Sequence, residues 1–393
     1  VNAVGRWSVL ALGLFGLPAV AQETSSSAVT AERIAKLPAT QRAEWDAYLR
    51  RSREVFARDT ASMNAELRAT GRTAMTAATN SPDFRVTSAM TPAWFATDSA
   101  RRLADIILSF QAPNGGWSKH VGYREPRSRG QSYFGESARW EWISTIDNGA
   151  TTEQIRFLLR ARGGRPNPRI DAALSRAFAF LAAAQYPNGC FPQVYPLQGG
   201  YHDAVTFNDD AMVQVLRAVG ELPTRKSPNV PDVQRATDCI LNAQVRVNGV
   251  RTGWGQQHDA LTLEPVVGRS YELASISAME TSTIVDYLMS IADSSARPAD
   301  VERAVDAAAA WLKSVAIHGY TYTRYELKAA PDAGPLWGRL YEIGTNRVIM
   351  ANRDGLKLYD WNRLTDRRTG YGWYGDQPAR TIAAYDNWKR RRT

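Results

Sequence analysis

Leu103-Ala104-Asp105-Ile106-Ile107-Leu108-Ser109-Phe110-Gln111 runs into Pro113-Asn114-Gly115-Gly116-Trp117, and this stretch decides the fold because it returns twice. Leu174, Phe178, Leu181 and Gln185 lead into Pro187-Asn188-Gly189-Cys190-Phe191-Pro192. Val233, Ile240 and Gln244 lead into Asn248-Gly249 and then Gly253-Trp254-Gly255. Each copy is an apolar-periodic helix closed by a turn of Pro, Asn or Gly residues and followed by an aromatic residue. A repeat of roughly 60 to 75 residues leaves room for a second helix per unit. Residues 153–162, 209–219, 277–290 and 299–315 carry helical patterns for those partners. Strand-like runs are few and short. The expectation is a mainly α fold, an α/α toroid whose turns gather on one face where a long polymer can lie. An unclosed helical solenoid satisfies the same periodicity.

Upstream of the repeats, residues 28–71 are rich in Ala, Arg and Glu, with Leu37, Trp45, Leu49 and Phe56 at helical intervals. Two or three amphipathic helices are expected there, with 70–88 as a connection. This segment is too small for much of a core, so residues 22–90 read as a helical extension and linker packed on a main body spanning 91–393. Further back, Arg6, the apolar run Val9 to Val20 and Ala19-Val20-Ala21 predict a secretory signal peptide over residues 1–21. The run is too short to span a bilayer comfortably, so a secreted or periplasmic protein without a membrane anchor is expected.

The formal charge of +9 suggests an anionic partner. Nucleic acid is disfavoured, because the arginines are dispersed and the longest basic run is the tail Lys389-Arg390-Arg391-Arg392. Cys190 and Cys239 are the only cysteines. Export permits a disulfide between them, and two buried thiols fit equally well.

Three features carry chemistry. Trp117, Phe191 and Trp254 lie in glycine-rich or turn segments, where aromatic faces suit sugar rings, although packing under a loop is the commoner fate of one such residue. Asp147-Asn148 and Asp209-Asp210 each stand just before a helix. They are ordinary caps taken singly, but together they form oxygen clusters able to hold Ca²⁺. His120, His202, His258 and His318 show no spacing for zinc. Finally, Arg339, Arg347 and Arg353 recur among aromatic, Asn and Gly residues, and Arg269 lies in Gly268-Arg269-Ser270-Tyr271-Glu272. Guanidinium forks suit carboxylates, so these arginines point to an anionic substrate, with pairing to Glu342, Asp354 or Glu272 as the alternative.

Taken in order, Asn-Gly-Gly-Trp-Ser-Lys at 114–119, Thr-Ile-Asp-Asn-Gly-Ala-Thr at 145–151, Tyr-Pro-Asn-Gly-Cys-Phe-Pro-Gln at 186–193 and Phe-Asn-Asp-Asp-Ala-Met at 207–212 resemble the pectate lyases of polysaccharide lyase family ten. Gly-Arg-Ser-Tyr-Glu at 268–272 and Tyr-Glu-Ile-Gly-Thr-Asn-Arg at 341–347 with Asn-Arg-Asp-Gly at 352–355 extend the likeness to the C-terminal part. The resemblance implies an (α/α)3 toroid that cleaves polygalacturonate by β-elimination, with Ca²⁺ as cofactor and an arginine as base. It implies Asp147 and Asp209 as metal ligands, Asn148 beside the substrate carboxylate, Arg269 as the base, and Arg339 and Arg353 as grips on the uronate. Lys119 and Trp117 are further substrate contacts on this reading, and a monomer is expected. Cys190 departs from the pattern, standing where a second turn glycine is expected. An α/α-toroid glycoside hydrolase using Asp147 and Asp209, and a non-catalytic pectin-binding protein, are the competing readings.

Overall fold

Thr97, Asn167 and Asp232 each open a helix by accepting a backbone N–H of its first turn. The helices they start are α4 (Asp98–Ser109), α6 (Pro168–Ala184) and α8 (Val233–Ala243). The computed structural model describes residues 27–392 except 136–141, 164–165 and 223–228; the expected signal peptide lies outside them. Among the described residues no helix is long and apolar enough to cross a membrane.

Each of these helices ends on a glutamine that ties two units together. Gln111 Nε2 donates to Gly115 O at 2.7 Å in its own turn and to Ala173 O at 2.8 Å on the next helix. Gln185 repeats this with Gly189 O and Asp232 O, and Gln244 with Thr252 O and Ala304 O. The turn glycines matter for the same contact. Gly115 (φ 100°) and Gly189 (φ 94°) are left-handed, and a Cβ on either would strike the carbonyl of Arg176 or Arg235 on the following helix.

The second helices are α5 (Thr152–Arg162), α7 (Ala211–Gly220) and α9 (Ala278–Ile291). They pack in succession and form the inner row; α9 is buried almost all round in its first half. A fourth pair, α10 (Pro298–Ser314) and α11 (Gln377–Arg390), completes the series. Residues 299–315 were expected as a second helix. They instead open this fourth unit, because Gln244 reaches Ala304 in α10 as Gln111 reaches Ala173 in α6. The mainly α expectation holds.

Upstream, α1 (Ala31–Ile34) and α2 (Ala39–Ala69) replace the two or three comparable helices expected. No glycine or proline interrupts residues 39–69, so one helix runs the full length. It shares the main core: Trp45 and Tyr48 pack on Tyr186 at 5.1 and 4.9 Å, and Tyr48 Oη donates to Ala184 O at 2.9 Å. The short helix α3 (Pro92–Phe95) follows an irregular segment.

Cys190 and Cys239 form a disulfide with Cα atoms 5.6 Å apart, which accounts for the missing glycine. At Gly116, in the first turn, a Cβ would meet Phe180 and Ser144. In the second turn the residue matching Phe180, five positions before the bridging glutamine, is Cys239. The space is therefore filled by a bond instead of a ring.

A four-stranded antiparallel sheet joins Ile276–Ser277, Leu340–Tyr341, Val348–Ala351 and Lys357–Leu358. It brings the segments bearing Arg269, Arg339 and Arg353 to the end of the helix rows where α5, α7 and α9 begin.

Candidate active site

The first two inner helices start from tight turns rather than side-chain caps, and those turns build the site; α9 starts directly from the strand Ile276–Ser277. Asp147–Gly149 precedes α5 and Asn208–Asp210 precedes α7, each a single 3-10 turn. Asn148 (φ 51°, ψ 32°) and Asp209 (φ 50°, ψ 33°) occupy the same left-handed position in the two copies, a conformation Asn and Asp tolerate better than other side chains. The backbone entering each turn is tied to the preceding repeat turn: Thr145 N donates to Trp117 O, Thr206 N to Phe191 O and Ser277 N to Trp254 O.

The repeat therefore presents acidic and amide side chains side by side. Asp147 is buried, and Lys119 Nζ lies 2.5 Å from its Oδ2. Burial works against its charge, but Lys119, with help from the Gln193 side chain and then Arg269, holds its carboxyl below the ordinary value. Asp209 is pushed up to about 6 by burial, to which the negative charge of Asp147 adds. Arg339 reaches into the second turn: Nη2 donates to Glu280 Oε1 at 2.9 Å and Asn208 Oδ1 at 3.0 Å, and lies 3.9 Å from Asp209 Oδ1. Its guanidinium stacks 4.7 Å from the Tyr371 ring.

Arg269 sits over Tyr271 at 5.1 Å and Tyr371 at 6.0 Å. It pairs with Glu272 through its side chain, and its backbone N donates to Glu272 Oε2 at 2.9 Å. Burial favours loss of its proton, yet the hydrogen bond and charge of Glu272 outweigh this and raise its pKa above the usual guanidinium value. Arg353 joins from the sheet: its carbonyl accepts from Ser270 Oγ at 2.7 Å, and its charge acts on Tyr271. Glu342 turns to Lys357 and Thr345 rather than to an arginine.

Trp117 does not belong with these residues. It is wholly buried, as are Phe191 and Trp254, and offers no face to a sugar. The glycine turns shield the helix ends poorly, so the indoles cover them from inside. Trp117 Nε1 donates to Ile107 O, Trp254 Nε1 to Ile240 O and Trp337 Nε1 to Leu312 O, each a carbonyl of the last helical turn.

Glu280, Asn208, Tyr371 and Arg367, stacked 4.1 Å over Tyr271, complete the network and were missed from the sequence, whereas Glu272, expected as an alternative partner for an arginine, does pair with Arg269. A signal for Glu280 was present. Thr281 Oγ1 accepts from Trp254 N as Thr151 Oγ1 accepts from Trp117 N, so aligning the two threonines sets Glu280 opposite Ala150, the residue that follows the Asp147–Gly149 turn.

Residues 111–382 match the family model described as pectic acid lyase. A family 10 polysaccharide lyase from Cellvibrio cellulosa shares 34% identity with a TM-score of 0.64, over 78% of this chain and 98% of that one. An Asp-to-Ala mutant of a family 10 polysaccharide lyase from the same organism, in complex with trigalacturonic acid, shares 33% with a TM-score of 0.64, over 77% and 99%. No curated protein matches. With the family model spanning well over half of its length and a solved lyase a third identical along most of it, the chain belongs to the pectic acid lyases and is a polysaccharide lyase of family 10.

Proposed function

We propose that this site cleaves polygalacturonate by β-elimination, with Asp147 and Asp209 holding calcium and Arg269 removing the C5 proton. The observation that carries the reading is the meeting of two carboxylates from successive repeat turns with the guanidinium groups of Arg269 and Arg339. The solved relative bound to trigalacturonic acid supports the substrate class.

The residues fit a hard cation. Asp147 Oδ1 is buried and accepts no hydrogen bond, and Asp209 carries a charge that its surroundings oppose. The donors are oxygens, without thiolate or imidazole among them. Among the described residues no three His, Cys, Asp or Glu side chains gather as a cage, so substrate and water would complete the shell. Bound calcium would neutralise the uronate carboxylate and make the adjacent C5 proton more acidic.

Arg339, locked by Glu280 and Asn208, orients that carboxylate, and Arg353 and Lys119 extend the cationic floor. Arg269 takes the C5 proton, the electron pair forms the C4–C5 double bond, and the O4 bond breaks with the oxygen taking a proton. Because Glu272 keeps Arg269 protonated, this step requires release of that contact and alkaline solution. The product is a 4,5-unsaturated oligogalacturonate. A polymer of this size meets the enzyme outside the cell, which suits export.

The test is initial rate on polygalacturonate, followed by absorbance of the unsaturated product, with EDTA and after restoring Ca²⁺. Activity should vanish with chelator and return with calcium, and highly methylated pectin should be cut more slowly. Full activity in EDTA, a saturated product, or faster cleavage of fully esterified pectin overturns the reading.

A further inference from the structure

Outside the residues of the family model, segment 76–86 runs along the edge of the site and is pinned at several points. Thr76 N donates to Gly130 O at 2.9 Å, Gly122 N to Thr79 O at 2.8 Å and Ser81 N to His120 O at 3.1 Å. Val86 N donates to Glu153 Oε2 at 2.8 Å in the first turn of α5. Phe84 packs its ring on Tyr123 and Phe157 at 5.4 and 5.6 Å. With Phe84 and Val86 both turned into the body, Arg85 between them is directed outward and is exposed.

Its guanidinium lies over the Asp147 turn, where Nη1 donates to Asn148 O. Gly149 makes this approach possible: it is left-handed at φ 70°, and a Cβ there would collide with Arg85 Nη1. The same Nη1 also reaches Phe84 O at 3.5 Å; both carbonyl contacts use that one nitrogen, which leaves the rest of the five-donor fork at the lip of the site. The nearby carboxylate of Asp83 pairs with His120 at 3.3 Å, and the charge of Arg85 acts on it more weakly than that of His120. The cation is thus held in place by a fixed backbone one residue beyond Asp147.

We propose that Arg85 is a specificity-determining residue of the lyase site, pairing with the carboxylate of a galacturonate unit next to the one held at Asp147. This rests on the proposed reading of the site. The upstream segment thereby contributes to substrate selection, beyond its packing on the main body.

The experiment compares parent, Arg85→Ala, Arg85→Lys and Gly149→Ala by kinetics on polygalacturonate and by calorimetry with trigalacturonic acid and a longer oligogalacturonate. Arg85→Ala should raise KM about five- to tenfold and weaken the longer oligomer by a similar factor, as expected for one solvent-exposed charge-assisted pair. The kcat should stay within about twofold, and Arg85→Lys should recover part of the loss. Gly149→Ala, which displaces the guanidinium and also strains the left-handed turn of Asp147, should raise KM at least as much. An active parent whose Arg85→Ala variant keeps KM and oligomer affinity within about twofold overturns the proposal and leaves the site reading intact. A parent that neither binds nor cleaves galacturonate overturns both.

Discussion

Lys119 Nζ lies 2.5 Å from Asp147 Oδ2, and both side chains are largely buried. The carboxylate is therefore held through one oxygen while the other, Oδ1, is left without a hydrogen bond. Lys119→Met should strand a buried charge and lower stability by about 3 kcal/mol, read by urea unfolding in EDTA. Calcium should then raise the Tm of this variant more than that of the parent, since a cation at Asp147 replaces the missing one. Asp147→Ala and Asp209→Ala should each lower kcat/KM by on the order of a thousandfold with the helical circular dichroism retained. Equal loss of folding would assign these carboxylates to structure.

Arg269 and Glu272 give the base assignment a signed test. Glu272 raises the Arg269 pKa, so Glu272→Gln should lower it and move the rising limb of kcat/KM toward lower pH. Arg269→Lys and Arg269→Ala should both lose kcat by at least about a thousandfold, with oligogalacturonate binding weakened modestly. A pH profile unmoved by Glu272→Gln, together with a lysine variant of near-normal kcat, would make Arg269 a clamp and send the base role to Arg353 or Arg339.

His258 sets an acid limit on stability. It is fully buried, and Gly255 N donates to its Nε2 at 2.9 Å. That nitrogen must be unprotonated, so Nδ1 carries the hydrogen toward Leu263 O at 2.7 Å and the ring is neutral. Burial lowers its pKa from 6.5 to about 4. The unfolded chain binds the proton first, so this contribution is complete above pH 6.5 and lost as pH falls toward 4. It amounts to about 3 kcal/mol. The difference in unfolding free energy between parent and His258→Gln should shrink by about that much over this window; a pH-independent difference would show the ring is not held neutral.

The Cys190–Cys239 bond closes a separation of 49 residues between a turn and the neighbouring helix. On a chain-entropy basis, its loss costs about 4 kcal/mol. The double variant Cys190→Ala, Cys239→Ala should lower Tm accordingly while kcat stays near the parent value, because the bond lies away from the charged residues. Two titratable thiols per chain in denaturant without reductant would mean the cysteines, both buried in the folded protein, are not joined.

Much of this was legible in the chain. The periodic helices, their Pro-Asn-Gly turns and the acidic residues ahead of α5 and α7 follow from local rules of periodicity, capping and turn chemistry, which act within a few residues. Those rules were also what misplaced Trp117. A tryptophan beside two glycines reads locally as exposed, and only a helix end packed beneath it, whose carbonyl takes the indole N–H, decides otherwise.

What the sequence determined by itself was therefore the repeating unit and the kinds of group each turn offers. What the tertiary structure decided was which groups face one another. Arg339 meets Glu280 and Asn208 across 59 and 131 residues of chain, and Arg85 meets Asn148 across 63. Residue 299 onward became the opening helix of a fourth pair for the same reason. Charge interactions and close packing depend on distance in space, and no spacing rule along the chain encodes that distance once it exceeds a turn or two.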